Sequence, residues 1–482
     1  MCIRDRLQVL TTQQEEAFRV TLPFGYVPKE MCVERTLTTE STSIFMPFSN
    51  QELFQTGGFY YGLNQISQNL VIVNRTKMKT PSGFVLGSSG SGKSFATKRE
   101  ILNVLLDDDK TGVLVIDPEN EYGDFCRAFG GTVLKISADS DNYINPLDMP
   151  REYGLDEEDD VNNTPLPIMK DKALKKKSDY IMSIIERMIS VGGNENTSSI
   201  TPQQKTIVDR AVKATYKEYL EHDFDPKYQP TLMNLQDELD KEGKLSVEGK
   251  QVAEGVEYYT RGSMDIFAHQ TNVDVSNRFV VFNVRDLGDQ LRQIALIIVF
   301  DFIWNRMIQN KNSGVRTYCY CDEIHVMFQS YYSANFLKQL YKRGRKYGMC
   351  ITGLTQNVED LLRSEQARGM ISNSDFIMML NQSSEDLKIL AGMLNISETQ
   401  MGYVTGADAG SGLLFAEKVI VPFVDRFPET SYLYKLMSTR FGEDLDEGEL
   451  DKEIANIMKN NTTDAPMSDK EIEQKLQMMY NS

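Results

Sequence analysis

Phe84-Val85-Leu86-Gly87-Ser88-Ser89-Gly90-Ser91-Gly92-Lys93-Ser94, residues 84–94, decides how this chain folds. Three apolar residues suited to a short buried strand run directly into a glycine- and serine-rich loop that closes on Lys-Ser. Residues 94–106 then carry apolar positions at helical spacing. The segment fits G-x-x-x-x-G-K-[ST] in its strand–loop–helix setting. Glycines let the backbone wrap a phosphate so that successive N–H groups face its oxygens, and the positive end of the following helix adds to the attraction. The pattern predicts that Gly87, Ser88, Ser89, Gly90, Ser91, Gly92, Lys93, Ser94 and Phe95 enclose the nucleotide. Lys93 is expected to reach the β- and γ-phosphates, and the Ser94 hydroxyl to hold Mg²⁺. A flexible Gly/Ser linker would need neither the Lys-Ser ending nor a strand before it.

Working outward, the pattern from Phe45 to Arg75 is that of a hairpin, with Gly57-Gly58 ahead of Phe59-Tyr60-Tyr61 and an apolar run from Leu70 to Val73. Strands are expected at Val113–Ile116, Thr132–Ile136, Phe279–Val284, Thr317–Cys321, Met349–Gly353, Phe376–Leu380 and Leu413–Ala416, with helical patterns between them. This alternation predicts an α/β fold, a RecA-like mostly parallel sheet with helices on both faces. From Pro150 the composition shifts. Residues 151–167 are acidic and rich in Pro and Asn, and helical periodicity then runs to about Gln270, with Thr201-Pro202 as a helix start. The expected organisation is a remnant of a truncated N-terminal region over 1–44, a first motor part over 45–150, an α-helical insertion domain over 151–275, a second motor part over 276–425, and a C-terminal helical tail over 426–482.

The second half of the chemistry is expected at Cys321-Asp322-Glu323, where a strand carries two acids to the mouth of the sheet. Asp322 would bind Mg²⁺ through water, and Glu323 would polarise the attacking water. Thr355-Gln356 follows the next strand, so Gln356 is placed to sense the γ-phosphate. Arg345, with Arg343 and Lys346 beside it, precedes that strand and is the candidate for a cation inserted into a neighbouring subunit's site. A solvated helix end is the other reading of the same three residues. Asp117, Glu119 and Glu121 either line the cleft or make a turn at Asp117-Pro118. His325 is read as structural, and Lys170 to Lys177 as a solvated helix face.

Composition narrows the classes. Net charge is −17, from 52 basic and 69 acidic residues, so only weak and strongly salt-sensitive DNA association is expected. Six separated cysteines and three histidines offer no metal-site spacing, and the expectation is reduced, buried thiols. The apolar run Ile294–Phe300 falls far short of the roughly 20 residues a membrane helix needs, and MCIRDR leads into no signal-like core. A GTPase is disfavoured because no N-K-x-D segment is present.

Taken together, FVLGSSGSGKSF, VLVIDPENEY, YINPLD at 143–148, CDEIH and GLTQN resemble the ATPases of conjugative type IV secretion systems, within the FtsK–HerA class of P-loop motors. GGFYYGLNQIS upstream, and NISETQMGYV, GSGLLF and VPFVDRFP downstream, extend the likeness to about residues 45–440. The resemblance implies an ATP- and Mg²⁺-dependent motor. It implies a homo-oligomer, hexamer or dimer, working in the cytoplasm at the inner face of the membrane against inner-membrane secretion channel proteins. A DNA-pumping translocase or coupling protein of the same class, and a scaffold that binds ATP without turnover, are the competing readings.

Overall fold

The computed structural model describes residues 11–23, 38–39, 51–137, 140–154, 164–189, 200–328 and 330–439. The chain falls into two compact units, Met1–Gln51 and Glu52–Ser482. Of the first, the described part is chiefly the helix Gln14–Val20, which carries an exposed Glu15–Arg19 pair one turn apart.

The second unit is built on one sheet of 11 strands. In chain order these are β1 (Phe59–Asn64), β2 (Leu70–Val73), β3 (Gly83–Leu86), β4 (Gly112–Asp117), β5 (Thr132–Lys135), β6 (Phe279–Asn283), β7 (Thr317–Cys321), β8 (Met349–Thr355), β9 (Phe376–Met379), β10 (Ser411–Ala416) and β11 (Val419–Val424). Their order across the sheet is β2-β1-β11-β10-β9-β3-β8-β7-β4-β6-β5. From β9 to β5 every pairing is parallel, while β10, β11, β1 and β2 add an antiparallel flank. The fold is therefore the expected RecA-like α/β architecture.

Strand β4 shows why the parallel part reads as unbroken apolar runs, since all six of its residues are buried. Val113 and Val115 enter a core with Ile101, Val104 and Phe125 on one face. Leu114 and Ile116 enter a second core with Ile294, Phe300 and Ile351 on the other. A sheet covered on both faces has no polar side to alternate with.

Between β5 and β6 the described chain is helical, at Leu166–Ile189, Pro202–Thr215, Lys217–Glu221, Leu232–Gly243 and Val247–Glu257. Thr201 starts its helix with a capping box to Gln204 and Pro202 in the first turn, as the sequence suggests. The helical segment is fastened to the sheet through YINPLD. Tyr216 and Tyr219 hydroxyls donate to the carbonyls of Leu147 (2.6 Å) and Met149 (2.8 Å), and Asn145 Nδ2 donates to Pro230 O at 2.9 Å.

Two expectations need correction. Lys177 does not belong to a solvated basic face. It is buried and pairs with Asp301 at 3.0 Å, tying Leu166–Ile189 to the motor helix Asp289–Asn312. Strand β11 was not anticipated at all. Its Pro422 pairs opposite Leu413 of β10, in a strand that is internal to the sheet, where a residue lacking N–H is normally excluded.

Cys126, Cys319, Cys321 and Cys350 are free and buried, while Cys2 and Cys32 lie outside the described residues, as does most of the expected N-terminal remnant and the tail beyond 439. No helix among the described residues is long and apolar enough to cross a membrane.

Candidate functional site

Strand β3 ends at Leu86, between β8 and β9, and the glycine-rich loop follows at the carboxyl edge of the sheet. Neighbouring strand ends hold the loop by its backbone. Gly87 N donates to Thr355 O (3.3 Å), and Ser88 N donates to Asn381 O (2.7 Å). Gly90 and Gly92 take φ of +74° and +93°, conformations open to glycine and strained for other residues. At Gly87 the constraint is space, since a Cβ there would lie 2.4 Å from Ser91 Oγ. The helix Lys93–Asp107 starts from Gly92 without a side-chain cap, so its first N–H groups face the loop.

Lys93 is 8% exposed, and its Nζ donates to Ser88 O at 3.4 Å. Burial pulls its ammonium down from the usual lysine range, while Glu323, Asp322 and Glu121 push it back up. Those acids arrive from two neighbouring strands. Strand β7 delivers Asp322 and Glu323, and β4 leads into Glu121. Burial, followed by the charges of Glu121, Glu323 and Asp117, holds the Asp322 carboxyl well above the ordinary range. Like charges gathered out of water in this way are relieved by a cation.

Glu323 sits at φ 43°, ψ 49°, in the left-handed region, a strain of roughly 1–3 kcal/mol for a non-glycine residue. Its carboxylate is 3.1 Å from His325 Nδ1, and Gln356 N donates to it at 3.5 Å.

Ser89, Gly90 and Gly92 of the loop, with Lys93, Ser94, Phe95, Asp322, Glu323 and Gln356, line one cleft of about 830 Å³, whereas Gly87, Ser88 and Ser91 do not line it. Strand β8 lies between β3 and β7, which puts Gln356 between the two motifs. Asp117 makes the turn, accepting from Glu121 N (3.0 Å) and Tyr122 N (2.9 Å), whereas Glu119 and Glu121 line the cleft. Arg345 is not brought to this cleft. It is exposed in the turn Gly344–Tyr347 at the amino end of β8, one strand length away, roughly 20 Å.

The sequence reading missed the far wall. Asp408, Gly410 and Arg426 line the cleft, and Gly410 N donates to Ser91 O at 3.2 Å. Arg99, on the loop's helix, pairs with Asp425. These residues come from the loop before β10 and from the end of β11, and β11 was the strand that went unrecognised.

The chemistry of this donor set fits a nucleoside triphosphate with its divalent cation. The cradle excludes a Cβ, one cation is desolvated beside it, and Ser91 Oγ is buried without a hydrogen-bond partner. Among the described residues no three His, Cys, Asp or Glu form a ready-made metal cage. Magnesium held by few protein ligands plus phosphate and water needs none.

The family comparison agrees with a phosphate-binding loop at this edge of the sheet. The TraG P-loop domain family matches residues 65–409. VirB4 of Thermoanaerobacter pseudethanolicus shares the fold, with a TM-score of 0.64 and 23% identity over 79% of this chain and 99% of that one. The plasmid coupling protein TrwB in complex with ADP and Mg²⁺ aligns with a TM-score of 0.44 and 14% identity, over 73% of this chain and 87% of TrwB. No curated protein matches the chain significantly.

Proposed function

The chain belongs to the TraG P-loop domain family, and on that premise we propose that it is an ATP-hydrolysing motor of a conjugative type IV secretion system. The observation that supports this reading most directly is the convergence of Lys93 with the adjacent acids Asp322 and Glu323 on one cleft. The second acid is the group that water activation calls for.

The glycine-rich loop binds the phosphates through its N–H groups, and Lys93 neutralises the β- and γ-phosphate oxygens. Ser94 and Asp322 would hold Mg²⁺, which when bound draws charge from the phosphates. Glu323 orients a water and takes its proton as the water oxygen bonds to the γ-phosphorus. The bond to the β-phosphate oxygen breaks, and ADP and phosphate leave. Gln356, at the end of β8, reports the presence of the γ-phosphate to the sheet.

The motor comprises residues 45–150 and 276–425, with 151–275 as its helical insertion. It works as a homo-oligomer, a hexamer or dimer, at the cytoplasmic face of the inner membrane, on secretion channel proteins. Arg345 acts across the subunit boundary, which accords with its distance from the cleft of its own chain.

The test is phosphate release from Mg-ATP by wild type and Lys93→Ala, with nucleotide affinity measured alongside. Wild type is expected to turn over and Lys93→Ala to lose nearly all activity, because a desolvated charge contact to the transferred group is gone. Equal rates would overturn the assignment of the loop.

A further inference from the structure

His325 stands two residues beyond Glu323, in the short helix Ile324–Met327, and is 16% exposed. Its Nδ1 lies 3.1 Å from Glu323 Oε2 and 3.0 Å from Thr355 Oγ1. Thr355 is fully buried at the end of β8. Its hydroxyl oxygen accepts from Asn357 N at 3.0 Å and donates to Asn357 O at 3.3 Å. Gln356, between them, donates its N–H to the same Glu323 Oε2 at 3.5 Å.

Counting donors assigns the ring proton. The carboxylate only accepts, so the contact is a hydrogen bond only if Nδ1 carries hydrogen. The Thr355 hydroxyl hydrogen already has an acceptor in Asn357 O, so its oxygen meets the same Nδ1–H as an acceptor. Nδ1–H is then shared between Thr355 Oγ1 (3.0 Å) and Glu323 Oε2 (3.1 Å), and the Gln356 N–H, just past the end of β8, adds a long contact to the same Oε2.

Glu323 needs such holding. Its left-handed backbone is strained, and a side chain that takes a proton from water must be fixed to within a fraction of an ångström. Packing alone does not fix a carboxylate's rotation; directed donors do.

We propose that His325 is a positioning residue for Glu323, joining the water-activating carboxylate to the Thr355–Asn357 turn so that the γ-phosphate sensor and the base move together. The proposal rests on the ATPase reading above. His325 does not touch the reacting atoms. It sets where the carboxylate points, and through Thr355 it ties that direction to β8.

The experiment measures steady-state Mg-ATP turnover and ADP affinity for His325→Ala, His325→Asn, Glu323→Gln and the double variant His325→Ala/Glu323→Gln, with Lys93→Ala as control. His325→Ala is expected to lower kcat about 10- to 100-fold, a part of what a general base supplies. ADP affinity should stay within about threefold, which also shows that the variant is folded. His325→Asn keeps an N–H donor near the position of Nδ1 and should restore most of the lost kcat. In the Glu323→Gln background, His325→Ala should change the residual rate by less than about twofold, because nothing is left to position.

Wild-type kcat in His325→Ala would overturn the proposal, as would an equal loss in both backgrounds or no recovery with Asn. If Lys93→Ala is inactive in those experiments, the ATPase reading stands and the role of His325 alone falls. If Lys93→Ala and wild type are indistinguishable, the ATPase reading falls first.

Discussion

Glu100→Gln is expected to be among the most destabilising single changes that leave the nucleotide loop untouched. Glu100 lies on the helix that follows the loop, and its carboxylate accepts from Arg75 Nη1 at 2.6 Å, with side chains 2% and 0% exposed. Arg75 also donates to Pro81 O at 3.0 and 2.8 Å, to Thr352 Oγ1 at 2.8 Å and to Ile351 O at 3.3 Å, and its guanidinium lies 4.3 Å from the centre of the Phe376 ring. These contacts satisfy the guanidinium's hydrogens, but only Glu100 supplies an opposite charge at bonding distance. Burial works against the Arg75 charge and Glu100 outweighs it, and because a guanidinium keeps its proton in proteins the substitution strands a buried cation instead of neutralising it. Breaking a buried pair from one side costs about 3–5 kcal/mol. The lower end is expected here, since Gln keeps a carbonyl for Nη1. At roughly 2 °C per kcal/mol for a large domain, the melting midpoint should fall by about 6 °C. Thermal and denaturant unfolding of Glu100→Gln, Arg75→Met and the pair Arg75→Met/Glu100→Gln would measure it. The paired variant should be more stable than the sum of the singles by at least about 2 kcal/mol. A Glu100→Gln midpoint within about 0.5 kcal/mol of wild type, or additivity in the pair, would refute the reasoning, because either result means the two charges do not depend on each other.

Three further outcomes follow from the same geometry. Gly87→Ala places a methyl group 2.4 Å from Ser91 Oγ and 3.1 Å from Leu380 Cβ, and overpacking of about 1–3 kcal/mol should weaken nucleotide affinity by about tenfold or more, checked by calorimetry with ADP. Burial pulls the Lys98 ammonium down to about 8 against Glu121, Asp117, Asp124 and Asp322. Between that pH and the ordinary lysine range near 10.4 the unfolded chain therefore binds the extra proton, and wild type should gain stability over Lys98→Met by about 1.4 kcal/mol per pH unit; a pH-independent difference in denaturant midpoints would contradict it. Specific ATPase activity should rise with protein concentration, and Arg345→Ala should abolish that rise without changing ADP affinity, an inter-subunit arginine being worth roughly 10³–10⁵ in rate. A concentration-independent rate in both proteins would return Arg345 to a solvated helix end and leave Arg426, which lines the cleft of its own subunit, as the available cation.

Much of this was legible because the parallel half of the sheet obeys local rules. Strands such as β4 and β7 are buried on both faces, so their apolar runs stand out, and the glycine-rich loop must follow one of them directly. The acids Asp322 and Glu323 are found by the same logic, at the end of a run that stops in charge. What stayed hidden depends on contacts between distant segments. Strand β11 contains a proline that local rules send to an edge, yet its neighbours β10 and β1 take it inside the sheet. With β11 unseen, Arg426 and the loop carrying Asp408 and Gly410 had no reason to be placed at the cleft. Lys177 sits in a lysine-rich run that looks solvated, and its burial is explained by Asp301, 124 residues away, together with the rings of Tyr153 and Tyr180. Arg75 and Glu100 are similarly unremarkable in sequence, and become partners only when β3 lays the loop's helix over the sheet.

The central claim, that Glu323 activates water on a nucleotide held by Lys93, is tested most directly by identifying the nucleotide that stays bound. Wild type and Glu323→Gln would be loaded with γ-labelled ATP and Mg²⁺, separated from free nucleotide, and the label followed over time in a single turnover. Wild type should yield ADP and free phosphate, while Glu323→Gln should bind with similar affinity and retain intact ATP. Release of phosphate by Glu323→Gln at the wild-type rate would contradict the account.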